Sequence, residues 1–180
     1  MATFGTYATE NFVGHATITD SYVAGYQKNG ITIDGVGTTA TVHDNEVQGG
    51  SRTGAISAQI AQNGIQLSRG ATARIYDNLV YNNSYTWSSF ASAGGILVFG
   101  GCGDPLVTNV TIHDNHLFNN DVGLYINNYS ADPNCTAPAA TPTNIRIIVD
   151  TPLAKAEVYR CVARVILFHK YGVLPITQRA

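Results

Sequence analysis

Asp34, Arg69 and Lys28 are the residues whose types and positions could carry out a reaction. A carboxylate that takes a proton from carbon needs a positive group nearby to stabilise the charge that develops. Elimination from an acidic sugar makes that demand, with a base near C5 and a cation beside the sugar carboxylate. Asp34 is the candidate base, and Arg69 and Lys28 are the candidate cations. Tyr125, Asn127 and Gln66 share their surface pattern and are candidate ligand-binding residues. The plainer alternative is an Asp34–Arg69 ion pair, solvated at a strand edge.

A second group lies between residues 81 and 90, where Tyr81, Tyr85, Trp87 and Phe90 fall close together and Trp87 is the single tryptophan. Aromatic faces suit the apolar C–H faces of sugar rings, while polar groups take the hydroxyls. Tyr85 and Trp87 are therefore further candidate ligand contacts. The competing interpretation is a small apolar cluster that packs the loop onto the body of the protein.

The elements that must position these residues follow from a repeat. Thr17–Val23, Thr41–Val47, Arg74–Val80 and Thr111–Leu117 share one pattern: an apolar residue, an Asp two places later, and a closing apolar residue. Asn follows the Asp in all but the first copy, where Ser21 stands. A second pattern, Gly then apolar residues two apart, recurs at Gly30–Ile33, Gly64–Leu67, Gly95–Val98 and Gly123–Ile126. A period of two is that of a strand with one buried face. From Ile18 to Val42 is 24 residues, to Ile75 a further 33, and to Ile112 a further 37. A fixed strand pattern with variable spacers describes a solenoid, with a constant core and loops that project outward.

Stacking then assigns the positions. Ile18, Val42, Ile75 and Ile112 form one inward column, repeating at roughly 4.8 Å. Val23, Val47, Val80 and Leu117 form a second. The Asp–Asn pair marks a sharp bend, with Asn tolerating the left-handed conformation it requires. Asn45, Asn78 and Asn115 are expected to hydrogen-bond from coil to coil as an amide ladder. Asp20, Asp44, Asp77 and Asp114 serve the turn. The outward columns on the Gly-led strand are Thr32, Gln66, Leu97, Tyr125 and Asp34, Ser68, Phe99, Asn127, which puts Arg69 one coil from Asp34.

These Gly-Ile-x-Ile, Val-x-Ile-x-Asp-Asn-x-Val and trailing Asn-Asn elements resemble the parallel β-helix repeat of the pectate-lyase-like superfamily over residues 14 to 148. The resemblance implies an all-β, right-handed parallel β-helix of about four to five coils, with three strands per coil. It also implies extracellular carbohydrate chemistry of lyase, epimerase or hydrolase type, with the groove on the Gly-led strands. The partner would be a polysaccharide or oligosaccharide and the location secreted or cell-surface. The alternative is a glycan-binding, adhesive or structural solenoid without turnover, because one fold serves many functions. Lyases of this group often hold calcium in a cluster of acids, which needs several oxygen ligands at one point. Calcium is thus a possible cofactor, yet Asp34 stands alone in its column, and the adjacent Asp pairs of the hydrolases do not occur.

Other features bound the function. Only 12% of residues are charged and the net charge is −2, which gives no basic face for nucleic acid. No apolar run is long enough to span a membrane. Met1–Gly5 lacks a basic start and an apolar core, so Met1 reads as the start of a gene fragment and not of a leader. His43 and His113 share an outward column with Tyr76 between them, about two strand spacings apart, which is too far for one metal. An ice-ordering Thr-x-Thr face needs repeated threonine pairs, and Thr17 with Thr19 makes one. Asn-x-Ser/Thr sequences at Asn82, Asn109, Asn128 and Asn134 arise easily in so Asn-rich a chain. Cys102 and Cys135 fall in loops of successive coils and either bridge or stay free.

The repeat fails after Ile148. Residues 1–150 hold five basic and eleven acidic side chains, whereas residues 151–180 hold five and one, and Asn disappears. Two units follow, a solenoid over 1–150 and a tail over 151–180. Thr151 and Pro152 could start a helix and Gly172 could end it. That helix would cap the open end of the solenoid, serve self-association, or be foreign to the fold.

Overall fold

The structure is a computed structural model that describes residues 2–4, 13–57, 59–87, 91–128, 134, 143–148 and 165–167. Its elements are strands, arranged in three sheets. The first sheet contains β1 (Ala2–Phe4), β4 (Asn29–Asp34), β7 (Asn63–Ser68), β10 (Gly94–Gly100), β13 (Val122–Asn128) and β15 (Val165–Leu167). The second contains β2 (His15–Thr19), β5 (Thr39–His43), β8 (Thr72–Tyr76), β11 (Val110–His113) and β14 (Ile145–Ile148). The third contains β3 (Tyr22–Ala24), β6 (Glu46–Gln48), β9 (Leu79–Tyr81) and β12 (His116–Phe118).

Parallel strands need a crossover between them. Here the crossover is the rest of the coil: the chain runs through all three sheets before it returns to the first. Apart from β15 at the edge of the first sheet, neighbours are parallel and in register, with Val42 opposite Ile18 and Ile75, and Val80 opposite Val47 and Leu117. The result is a parallel β-helix, and both inward columns stand where the repeat puts them. Val42, Ile75, Val47 and Val80 are fully buried, and Ile18, Val23 and Leu117 pack against them at the ends. Each such side chain contributes about 1.5–3 kcal/mol by leaving water.

The Gly of the Gly-led strand is required by a close approach. A Cβ on Gly64 would lie 2.7 Å from the Gly95 carbonyl and 2.3 Å from Val80 Cγ1, and Gly30 and Gly95 meet the carbonyls of Gly64 and Gly123 in the same way.

The bend between second and third sheets works differently from expectation. Asp takes the left-handed conformation, with φ of 50° at Asp20, 54° at Asp44 and Asp77, and 51° at Asp114. The short Asp side chain tolerates it. Asn is thereby freed to turn inward and form the ladder. Asn78 Nδ2 donates to Asn115 Oδ1 at 2.9 Å and to the carbonyls of Val42 and Tyr76, and Asn45 repeats the pattern one coil earlier. Ser21, which lacks the amide, still donates its backbone N–H to Asn45 Oδ1. A second ladder runs from Asn120 through Asn83 to the Tyr26 hydroxyl, where burial pushes the phenol well above its ordinary range.

Of the tail, only Val165–Leu167 is described. It is a strand, antiparallel to β13, with Ile166 opposite Tyr125. At these three residues extended chain replaces the expected helix, and it covers the open edge of the first sheet. The remainder of residues 151–180, including the proposed helix start, lies outside the described residues. No helix among the described residues is long and apolar enough to cross a membrane.

Candidate ligand-binding face

The outer face of the first sheet carries the columns expected from the repeat. Thr32, Gln66, Leu97 and Tyr125 are successive partners in the ladder, as are Asp34, Ser68, Phe99 and Asn127. The polar members form one hydrogen-bonded network. Asn63 Nδ2 donates to Asn29 Oδ1 and to Gln66 Oε1, each at 3.2 Å. Gln66 Nε2 donates to Ser68 Oγ at 3.2 Å, and Ser68 Oγ donates to Asp34 Oδ1 at 2.8 Å. Arg69 closes the network, with Nε donating to Asp34 Oδ1 at 3.0 Å and Nη2 to Asp34 Oδ2.

Asp34 and Arg69 thus meet as a bidentate pair with the carboxylate buried and the guanidinium half exposed. The hydrogen bonds that Arg69 donates to Asp34 hold its pKa above the ordinary value. Arg69 occupies the turn position that Gly35 fills in the preceding coil, and both have positive φ, 47° and 95°. The left-handed backbone at Arg69 directs its fork back over Asp34.

Lys28 stands at the opposite end of β4, roughly 20 Å along the strand from Asp34. Its Nζ donates to the Ala61 carbonyl at 2.6 Å. Partial burial of the ammonium there lowers its pKa, although the residue as a whole is exposed. The structure therefore joins two of the three candidate reaction residues and leaves the third apart. Both Asp34 oxygens are engaged, by Ser68 and by Arg69. Among the described residues no three His, Cys, Asp or Glu side chains converge.

Asn127 is buried and its Oδ1 has no hydrogen-bond partner among the described residues. A buried acceptor without a donor costs about 1–3 kcal/mol, and this one is closed to solvent and so to a ligand. Tyr125 is half-buried beside it. The neighbouring Asn128, an expected sequon residue, is buried in hydrogen bonds to Val107.

Trp87 is 72% exposed, the most exposed of the large apolar side chains among the described residues. Its loop is nonetheless fixed. Thr86 N–H donates to the Ser57 carbonyl at 2.8 Å, and Tyr85 N–H donates to Asp121 Oδ2 at 2.6 Å. Asp121 also accepts from Ser84 and pairs with Arg52 at 3.7 Å. Asp121 is the organiser that sequence reasoning missed. Nothing but a loop acid opposite a Ser-Tyr pair announces it. Tyr81 does not join the aromatic loop. It lies on β9, stacked on Phe118 at 4.8 Å, with its hydroxyl donated to Glu46. Phe90 lies outside the described residues.

The second sheet confirms the ring column: His43, Tyr76 and His113 stack at 4.8 and 5.0 Å. The two histidines each bond the following Asp through Nδ1 at 2.7 Å. The threonine count needs correcting, because Thr39 and Thr41 form a second outward pair, offset so that Thr41 is opposite Thr17 while Thr39 is opposite His15. Cys102 is disulfide-bonded, while Cys135, its expected partner, lies outside the described residues.

The coil geometry defines a right-handed parallel β-helix with an outward polar face and loops at its margin. Residues 2–137 match the family described as the right-handed beta helix region, and the chain belongs to that family. No curated protein and no solved structure matches the chain.

Proposed function

We propose that the chain binds an extracellular polysaccharide across the outer face of its first sheet and does not turn it over. The exposed Trp87 carries this reading, because a loop pinned at Ser57 and Asp121 presents it to solvent in a fixed place. Stacking on a preplaced ring loses little conformational entropy on binding. The part-exposed Gln66, Tyr125 and Arg69 supply polar contacts on that face. Binding is favoured over a lyase, epimerase or hydrolase activity because Asp34 is tied up by Arg69 and Lys28 is remote. The disulfide at Cys102 supports an oxidising, secreted or cell-surface location.

A glycan panel scored for both binding and cleavage tests this. Trp87→Ala should weaken binding about tenfold with an unchanged unfolding midpoint. Asp34→Ala/Arg69→Ala should alter affinity without abolishing a turnover. Product release that the double variant loses would establish an enzyme on this face. A panel with no binder would overturn the carbohydrate reading.

A further inference from the structure

The first coil ends the solenoid with three strands at one level. β1, β2 and β3 pair with β4, β5 and β6 and, among the described residues, with no strand on their other side. The core columns come to the surface there. Ala16, Ile18 and Val23 are half-buried, whereas Ala40, Val42 and Val47, one coil further in, are 6%, 0% and 0% exposed. Val13 and Tyr22, both exposed, flank the same end.

An open strand edge is a template for pairing, and proteins blunt it with charge, proline, bulges or a covering segment. β2 and β3 contain no Lys, Arg, Asp, Glu or Pro. The far end differs: Arg146 is exposed on β14, and β15 lies along β13. That end is also stepped, because β15 carries the first sheet one strand beyond the second. A level end does not fit a stepped one, so it meets best with another level end.

The backbone of β2 is self-complementary. The Gly14 carbonyl accepts from Thr39 N–H and the Ile18 carbonyl from Asn45 Nδ2, each at 2.9 Å, so these residues face the second coil. Alternate residues in a parallel ladder turn their backbone groups to opposite sides, which leaves His15, Thr17 and Thr19 facing the open edge. Laid antiparallel against a second copy, Thr17 falls opposite Thr17 on a twofold axis, and His15 falls opposite Thr19. Those are the alternate, hydrogen-bonded pairs of an antiparallel ladder. Between them Ile18 falls opposite Ala16, a large side chain against a small one.

We infer that the first coil is a homodimer interface, in which β2 pairs antiparallel with the β2 of a second copy about a twofold axis through Thr17. Such an isologous contact is the common symmetry for two copies of one chain. The 24 residues from Ile18 to Val42, at about 3.3 Å each, enclose an end of roughly 500 Å² if taken as a circle. Two such ends bury about 1,000 Å², near the lower limit for a specific interface, so the dimer forms reversibly at micromolar concentration.

Sedimentation velocity on the full chain, from about 1 to 100 µM, tests the inference. Wild type should pass from monomer to dimer. Thr17→Lys and Thr17→Asp should each weaken association about tenfold or more, because like charges meet on the axis. Their thermal midpoints as monomers should match wild type, since Thr17 is exposed. An equimolar mixture of the two should recover the dimer, which damage to the fold would not allow. Hydrogen exchange should show the His15, Thr17 and Thr19 amides protected in the dimer and open in the monomer. A chain that stays monomeric to 100 µM overturns the proposal. Protection in the monomer overturns it as well, because the chain would then cover its own edge. Growth beyond the dimer would show head-to-tail stacking instead. Wild-type association by either charged variant, or a mixture that stays apart, would remove the twofold pairing at Thr17.

Discussion

Asn78→Ala should be among the most damaging single changes outside the apolar core. The Asn78 side chain is 1% exposed and lies in the middle of its ladder. Its Nδ2 donates to the Val42 and Tyr76 carbonyls and to Asn115 Oδ1, and its Oδ1 accepts from Asn45 N and Asn45 Nδ2. Alanine removes all of these bonds at once and leaves donors and acceptors on three coils without partners. An unsatisfied buried group costs about 1–3 kcal/mol, and partial relaxation keeps the sum below simple addition. A loss of about 3–5 kcal/mol is expected, a large share of the roughly 5–15 kcal/mol that holds a domain together. Urea unfolding followed by far-ultraviolet circular dichroism measures it, and Asn144→Gly is the control, glycine being free to keep the φ of 51° found there. Asn144 makes one exposed bond, to Asn109 Oδ1 at 3.1 Å, and its loss should stay within about 0.5 kcal/mol. If Asn78→Ala lost less than about 1 kcal/mol at an unchanged m-value, the ladder would be ornament, and the structural role given to these amides would be wrong.

Three further outcomes follow from the same geometry. Gly64→Ala should lower the thermal midpoint sharply, because its Cβ meets backbone and core atoms within 2.7 Å; an unchanged midpoint would mean that the coils can separate there. Asp77→Gly should be neutral within about 1 kcal/mol in urea, and Asp77→Val should cost more, since φ is 54° and only glycine adopts that without strain. Tyr81 should ionise only near pH 12 in an absorbance titration, because its hydroxyl is donated to the Glu46 carboxylate; Glu46→Gln should bring it back toward 10. Since the folded pKa is the higher one, the stabilisation is present below about pH 10 and is lost as the pH rises toward 12.

Much of the fold was legible because the coil imposes a period of two on residues that have no other reason for it. Val42, Ile75, Val47 and Val80 could be placed in columns before any coordinates, and the His43–Tyr76–His113 order followed from the same count. The bend was half legible. Asp and Asn both tolerate positive φ, and nothing local says which takes the turn and which turns inward; the buried carbonyls of Val42 and Tyr76 decide that, by demanding an amide donor. The meeting of Asp34 with Arg69 was legible through register, whereas the remoteness of Lys28 required knowing that β4 begins at Asn29. Asp121 was invisible because its partners, Arg52, Ser84 and Tyr85, come from loops whose paths no repeat fixes.

A solenoid of this kind makes polar residues poor guides to function, and the reason is mechanical. Each coil must satisfy its bends with the side chains that project inward, so Asn45, Asn78, Asn83 and Asn120 are fully engaged by backbone and by one another. Polarity then carries information about ligands only where the hydrogen-bond partners run out. Among the described residues the buried side-chain atoms left over are Thr38 Oγ1 and Asn127 Oδ1, and both are closed to solvent. Asp34, the most tempting residue by chemistry, fails this criterion, since Ser68 and Arg69 already satisfy it. Both of its oxygens are occupied, so a substrate C–H would have to displace Ser68 or Arg69 to reach either one. Arg69→Gln frees one side of Asp34 and is the direct test: cleavage seen only in that variant would show a base held back by the pair, and no cleavage by either wild type or variant would leave the pair as part of the scaffold.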